Sequence, residues 1–158
     1  MKNKYTYLVV IAALFVAVAA SIASAVITMM KMPPKGSITI VYDGKENIFD
    51  PAKAATVDVS GTILNAKGDK KDVSAKGFLL KDAITTAGIK DADFISATVT
   101  SSDSFTANLT FNEIAETGKV YLTEDTSDKG EKFLRLVVFG DNDSTRQIKN
   151  VVRIDLVK

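Results

Sequence analysis

FISATVTSSDSFTANLTF, residues 94–111, is the stretch that decides the fold class. Apolar and polar side chains alternate from 94 to 100 and again from 105 to 111, the period-2 pattern of half-buried strands. The polar run Ser101-Ser102-Asp103-Ser104 reads as the turn between them. Phe105, Ala107, Leu109 and Phe111 would share one face. Thr110-x-x-Glu113 overlaps the end of the second strand, matches a capping box and predicts a short helix over 112–116.

The same pattern continues on both sides. Upstream, residues 37–42 read as a strand with Ile38, Ile40 and Tyr42 on one face, followed by an Asp43-Gly44 turn. Residues 56–64 read as another, with Val57, Val59 and Ile63 inward, and 65–72 as a polar, Gly-containing hairpin loop. Leu80, Ala83, Ile84 and Ala87 keep helical i, i+3, i+4, i+7 spacing. Gly88 and Ile89 then supply the left-handed residue and apolar contact of a Schellman cap. Downstream, 119–122 reads as a short strand and 151–157 as an alternating one. Residues 133–139 are apolar enough on both faces to predict a central strand. The fold class expected is α+β: a β-rich mixed domain of seven or eight strands with one or two short helices.

In front of this domain stand 26 consecutive residues without a formal charge, 5–30. A bilayer core is about 30 Å thick and takes ~20 apolar residues to cross in a helix. The expectation is a transmembrane anchor over residues 1–30, a stiff Pro-Pro linker over 31–36 and an extracytoplasmic domain over 37–158. Lys2 and Lys4 precede the span, and Lys31 and Lys35 follow it, so the positive-inside bias for a cytoplasmic N-terminus is small. A secretory signal cleaved after Ala25 is the competing reading, since Ala23-Ser24-Ala25 has the required small residues. The protein would then be secreted rather than anchored.

Composition narrows the chemistry. There is no histidine and no cysteine. Disulfides, thiolate nucleophiles, imidazole bases and the usual zinc, haem and iron–sulfur ligands are therefore absent. Residues 37–158 carry 16 Lys and Arg against 19 Asp and Glu, with no aromatic-basic stripe. Nucleic acid is not an expected partner. The partners expected are the membrane, through residues 5–30, and a protein partner or small anionic ligand at the cell surface.

Arg135, Arg146, Lys149 and Arg153 gather in the last quarter of the chain. Pairing of the final strands could converge Arg135, Arg146 and Lys149 on an anion such as a phosphate; outward-facing charges paired with nearby carboxylates are the alternative. The run Gly140-Asp141-Asn142-Asp143-Ser144 looks like a calcium loop but carries Arg146 and Val152 where an EF-hand needs Gly and Glu, so a polar turn is expected. Glu124, Asp125, Asp128 and Glu131 read as a solvated acidic loop. Asn108-Leu109-Thr110 and Asn142-Asp143-Ser144 match the glycosylation acceptor pattern.

Four segments in series also carry a family likeness. Residues 77–88, GFLLKDAITTAG, resemble a helix closing on Ala-Gly. Residues 98–105, TVTSSDSF, resemble a Ser-x-Asp-Gly-Tyr strand and turn, with Ser104 for the glycine and Phe105 for the tyrosine. Residues 134–140, LRLVVFG, resemble Leu-Arg-Leu-Val-Val-Pro-Gly, with Phe139 for the proline. Residues 147–154, QIKNVVRI, resemble a Lys-Trp-x-x-x-Ile ending, with Asn150 for the tryptophan. Together, over about half the chain, they resemble the oxidoreductase molybdopterin-binding domain of the sulfite-oxidase-like family. The resemblance implies a β-rich mixed fold and, in active members, a molybdenum–pterin site whose metal is ligated by a cysteine. This chain is a short match without that cysteine and without the histidines that commonly hold the pterin. No cofactor is therefore expected, with molybdopterin possible only through the resemblance, its phosphate meeting Arg135, Arg146 or Lys149. A non-catalytic ligand- or partner-binding domain is the function expected. A molybdopterin-dependent oxidoreductase with a cysteine-free site, or a structural cell-surface module, are the alternatives. Fold by itself does not decide among them.

Overall fold

A computed structural model describes residues 33–65, 67–90 and 93–158. The anchor or signal expected over residues 1–30 lies outside them. Among the described residues no helix is long and apolar enough to cross a membrane. From residue 34 to 158 the chain forms one compact unit, with nine strands in two sheets and two short α-helices among the described residues.

The first sheet has the order β2-β1-β9-β5-β6. It comprises β1 (Ile38–Tyr42), β2 (Lys45–Phe49), β5 (Ser96–Ser101), β6 (Thr106–Thr110) and β9 (Val151–Val157). The pairing of β1 with β9 is parallel and the other pairings are antiparallel. Asp43 and Gly44 join β1 to β2 as a two-residue hairpin with φ of 53° and 72°, the left-handed pair that this tight turn requires. The polar sequence after that turn had shown no strand, because β2 buries only Phe49. The strands around residues 101–104 pair as expected, with Ala107 and Leu109 buried. Phe105 and Phe111 do not share their face: Phe105 lies in the turn, Phe111 opens a helix, and both are exposed.

The second sheet is antiparallel, in the order β3-β4-β7-β8. It comprises β3 (Val57–Leu64), β4 (Lys70–Leu79), β7 (Val120–Thr126) and β8 (Lys132–Val138). Val59 and Ile63 are buried, though outside the main cluster, and Val57 is 40% exposed at the strand's first residue. Residues 77–79 belong to β4 rather than to the helix, and only they pair with β7. Residues 120–122 are part of a strand that runs on through Glu124 and Asp125, and Lys119 stands in the turn before it.

The expected central strand, β8, stands at the edge of its sheet. Its apolar character has another cause. Leu134, Leu136 and Val138 face the main core, while Val137 is buried on the opposite face. The free edge is also covered. The Leu136 N–H donates to the Ile148 carbonyl at 2.7 Å. The Gln147 amide accepts from the Val138 N–H at 3.1 Å and donates to its carbonyl at 2.9 Å. The C-terminal half of this edge strand thereby has part of its free backbone satisfied.

Helix α1 (Leu80–Thr86) ends as the spacing predicts. Gly88 has φ of 93°, its N–H reaches the Thr85 carbonyl, and the Ile89 N–H reaches that of Ile84, a Schellman arrangement. Helix α2 (Phe111–Ala115) carries the capping box, with the Thr110 hydroxyl accepting from the Glu113 N–H and the Glu113 carboxylate from the Thr110 N–H. One buried cluster draws on both sheets and both helices. It includes Ile38, Ile40, Val99, Leu109 and Ile154 from the first sheet and Phe78, Leu122, Leu134 and Leu136 from the second. Phe49 and Phe78 join the sheets edge to face, 5.2 Å between ring centres.

Candidate functional site

The three arginines of the chain fall into different surroundings. Arg146 sits at the end of a short 3-10 turn, Ser144–Arg146. Its Nε donates to Asp141 at 2.6 Å, and its Nη1 donates to Glu113 at 2.8 Å and to the Asn108 carbonyl at 3.3 Å. These partners raise its pKa further, chiefly through Asp141. Burial alone would raise Glu113, but the Thr110 N–H, the Arg146 guanidinium and the Thr110 hydroxyl hold its carboxyl below the usual glutamate value. Arg146 is thus committed to pinning the 140–147 segment to β6 and α2. Arg153, on β9, forks onto Asp155 at about 2.9–3.0 Å and reaches Glu46 at 3.1 Å.

Arg135 is different. It lies on β8 opposite Thr123, on the face away from the main core. Gly61 of β3 lies against the Phe139 ring on this side, so close that a Cβ there would be 2.7 Å from the ring. The β3–β4 hairpin therefore folds over the outer face of β8. The Arg135 Nε–H is buried and meets no acceptor. An unsatisfied buried donor costs about 1–3 kcal/mol, more when charged.

The Arg135 side chain lines a cleft of about 740 Å³. Its walls come from four places: residues 35–37 where the chain enters the domain, Lys71 at the start of β4, the β7–β8 turn, and residues 149–152 leading into β9. A turn closed by the Ser37 N–H on the Pro34 carbonyl, with Gly36 at φ of 82°, places Lys35 at the rim. Five cations line the cleft: Lys35, Lys71, Lys132, Arg135 and Lys149. Three carboxylates share it: Asp125, Asp128 and Glu131. None of the five cations is within 4 Å of a described carboxylate. Three of the chain's 20 Lys and Arg precede residue 33, so residues 34–158 hold 17 against 19 Asp and Glu. The cleft is locally basic in a domain that is acidic overall. An adjoining hollow of about 550 Å³ shares its wall at Lys35, Glu131 and Lys132 and extends to Pro51 and Ala52.

Of the four cationic residues gathered in the last quarter of the chain, Arg135 and Lys149 line one cleft, and Arg146 and Arg153 do not. Lys35, Lys71 and Lys132 join them, and no spacing rule could have found these three. They lie far apart in sequence and meet only through the hairpin's fold-over and the entry turn.

The other candidates resolve locally. Asp141 is taken by Arg146, and Asp143 caps the 3-10 turn by accepting from the Thr145 N–H at 2.9 Å and its hydroxyl at 2.6 Å. Hydrogen bonding to that hydroxyl and N–H lowers the Asp143 pKa. The 140–144 run is the polar turn expected. Among the described residues no group of three or more acidic side chains is placed to hold a metal ion. Asn108 is in mid-strand, accepting from the Thr98 hydroxyl at 2.9 Å, whereas Asn142 is exposed in the turn. Compared with models of known families and with curated proteins, the sequence matches none.

Proposed function

We propose that this chain is a membrane-tethered, extracytoplasmic binding module that holds a small anion in the Arg135 cleft without catalysing a reaction. The observation that carries the reading is the Arg135 guanidinium. Its Nε–H is buried and unpartnered, and the residue lines a cleft that four lysines also line. An anionic oxygen in that cleft would make charge-assisted bonds to the guanidinium and the neighbouring ammonium groups. Membrane attachment rests on the uncharged run over residues 5–30, which is long enough to span. The absence of catalysis rests on the composition: the chain has no imidazole to act as base and no thiolate to act as nucleophile.

The likeness to the sulfite-oxidase-like family belongs to the same proposal. Two backbone features support it. Ser104, in the place of that family's glycine, has φ of 68°, a conformation that glycine favours, and Gly88 closes its helix at φ of 93°. The molybdenum–pterin group that the likeness implies fits poorly. Its phosphate would suit Arg135 and the cleft lysines, but the chain supplies no thiolate for the metal and no imidazole for the pterin.

Calorimetric titration of the full-length chain in detergent with inorganic phosphate and pyrophosphate tests the reading. Binding is expected, weakened about 10–100-fold by Arg135→Gln, the worth of charge-assisted hydrogen bonds. Arg153→Gln should leave the affinity unchanged. Absence of binding, or equal losses in both variants, would refute the assignment.

A further inference from the structure

The place of the cleft, as well as its charge, bears on which anion it takes. We propose that its ligand is the phosphoryl head group of an anionic lipid in the membrane that tethers the chain. This deepens the reading above and rests on it. Three observations lead there.

The first is covalent. Lys35 lines the cleft, and only five residue steps separate it from Met30, the end of the uncharged run. Fully extended, that connection spans at most about 18 Å. Head groups themselves occupy roughly 5–8 Å beyond each side of the hydrocarbon. With residues 5–30 in the bilayer, as proposed above, Lys35 can stand no farther than that extended length beyond it. The second is electrostatic. The cleft's five cations against three carboxylates stand out in a domain with 17 against 19. A leaflet that carries anionic lipid attracts such a site over about a Debye length, ~8 Å at physiological salt. The third is the chemistry of Arg135. A phosphoryl group offers several oxygens to a guanidinium fork, and Arg135 is the arginine whose Nε has no partner. Tethering beside the surface makes head-group capture intramolecular in effect, so a weak site is filled. A free phosphate offers the same chemistry from solution, and the experiment separates the two sources.

The test uses the full chain in lipid nanodiscs, one set of neutral phosphatidylcholine and one containing phosphatidylglycerol. Acetylation rates of individual lysines are read by mass spectrometry. Lys71 and Lys149 should react about fivefold more slowly in the phosphatidylglycerol discs, while Lys81, on α1 and outside the cleft, should not change. Arg135→Gln should remove the protection. Lys149→Gln, an exposed substitution that leaves the fold intact, should reduce the protection of Lys71. Equal rates in both discs, with protection by inorganic phosphate in detergent, would overturn the lipid assignment and leave the anion reading standing. No protection by either would overturn both. A chain that fails to incorporate into discs would remove the tether and the proposal with it.

Discussion

Arg146 and Arg135 show how one residue type takes two roles according to what surrounds it. Arg146 is held by two carboxylates and a carbonyl, with both acids largely shielded from water. It is a fastening. Arg135 has a buried donor and no partner, and it faces a cleft. Arg135 stands in the apolar run 133–139 and Arg146 just after the polar turn at 140–144, but those contexts do not say which of the two is paired. The separation comes from Asp141 and Glu113. Asp141 lies five residues before Arg146, and Glu113 comes from 33 residues earlier. The Glu113 carboxyl is held below its ordinary value, so its contribution to stability is present above pH ~4.5 and is lost as pH falls through its lower folded-state value. Glu113→Gln should therefore cost about 1–3 kcal/mol at pH 7. It should cost distinctly less near pH 3. Urea unfolding of both proteins at the two pH values checks this. An equal difference at both would show that the Glu113 charge contributes nothing.

At the scale of elements, the sequence was most legible where one side of an element is buried and the other is wet. The hairpin over 94–111, the end of α1, the capping box of α2 and the alternation of β9 all follow from period and cap chemistry. It was least legible in β2, which buries only Phe49, and in β8, whose apolar content arises from two covered faces and not from a central position. Gln147 completes β8 by serving both the N–H and the carbonyl of Val138. Gln147→Ala should speed hydrogen exchange at the Val138 amide and cost about 1–3 kcal/mol. Unchanged exchange there would show that the edge is protected by other means. Two glycines test the packing differently. A Cβ on Gly77 would stand 2.6 Å from the Leu122 carbonyl, whereas one on Gly88 meets open space but strains a φ of 93°. Gly88→Ala should cost about 1–2 kcal/mol from strain alone. Gly77→Ala should cost more, because two strands must part. The reverse order in thermal unfolding would mean that β4 and β7 are not in the register described.

Over the whole molecule, two sheets share a core, and the β3–β4 hairpin packs on the Phe139 side of β8 and brings Lys71 to the cleft that Arg135 lines. This long-range step lies beyond sequence reading, since local patterns carry register but not the folding of one hairpin across another strand's face. The proposed tether, by contrast, rests on the sequence alone. The proposed function joins the two: an anion site held beside the chain's point of entry. Of three arginines, two already have acceptors for their Nε–H groups and one has none. The most direct measurement is therefore the nitrogen–proton correlation of the three arginine Nε–H groups in the full-length chain as phosphate is added. The Arg135 resonance should move to the position of a hydrogen-bonded guanidinium while those of Arg146 and Arg153 stay fixed. A motionless Arg135 resonance, or equal movement of all three, would contradict an anion site at this cleft.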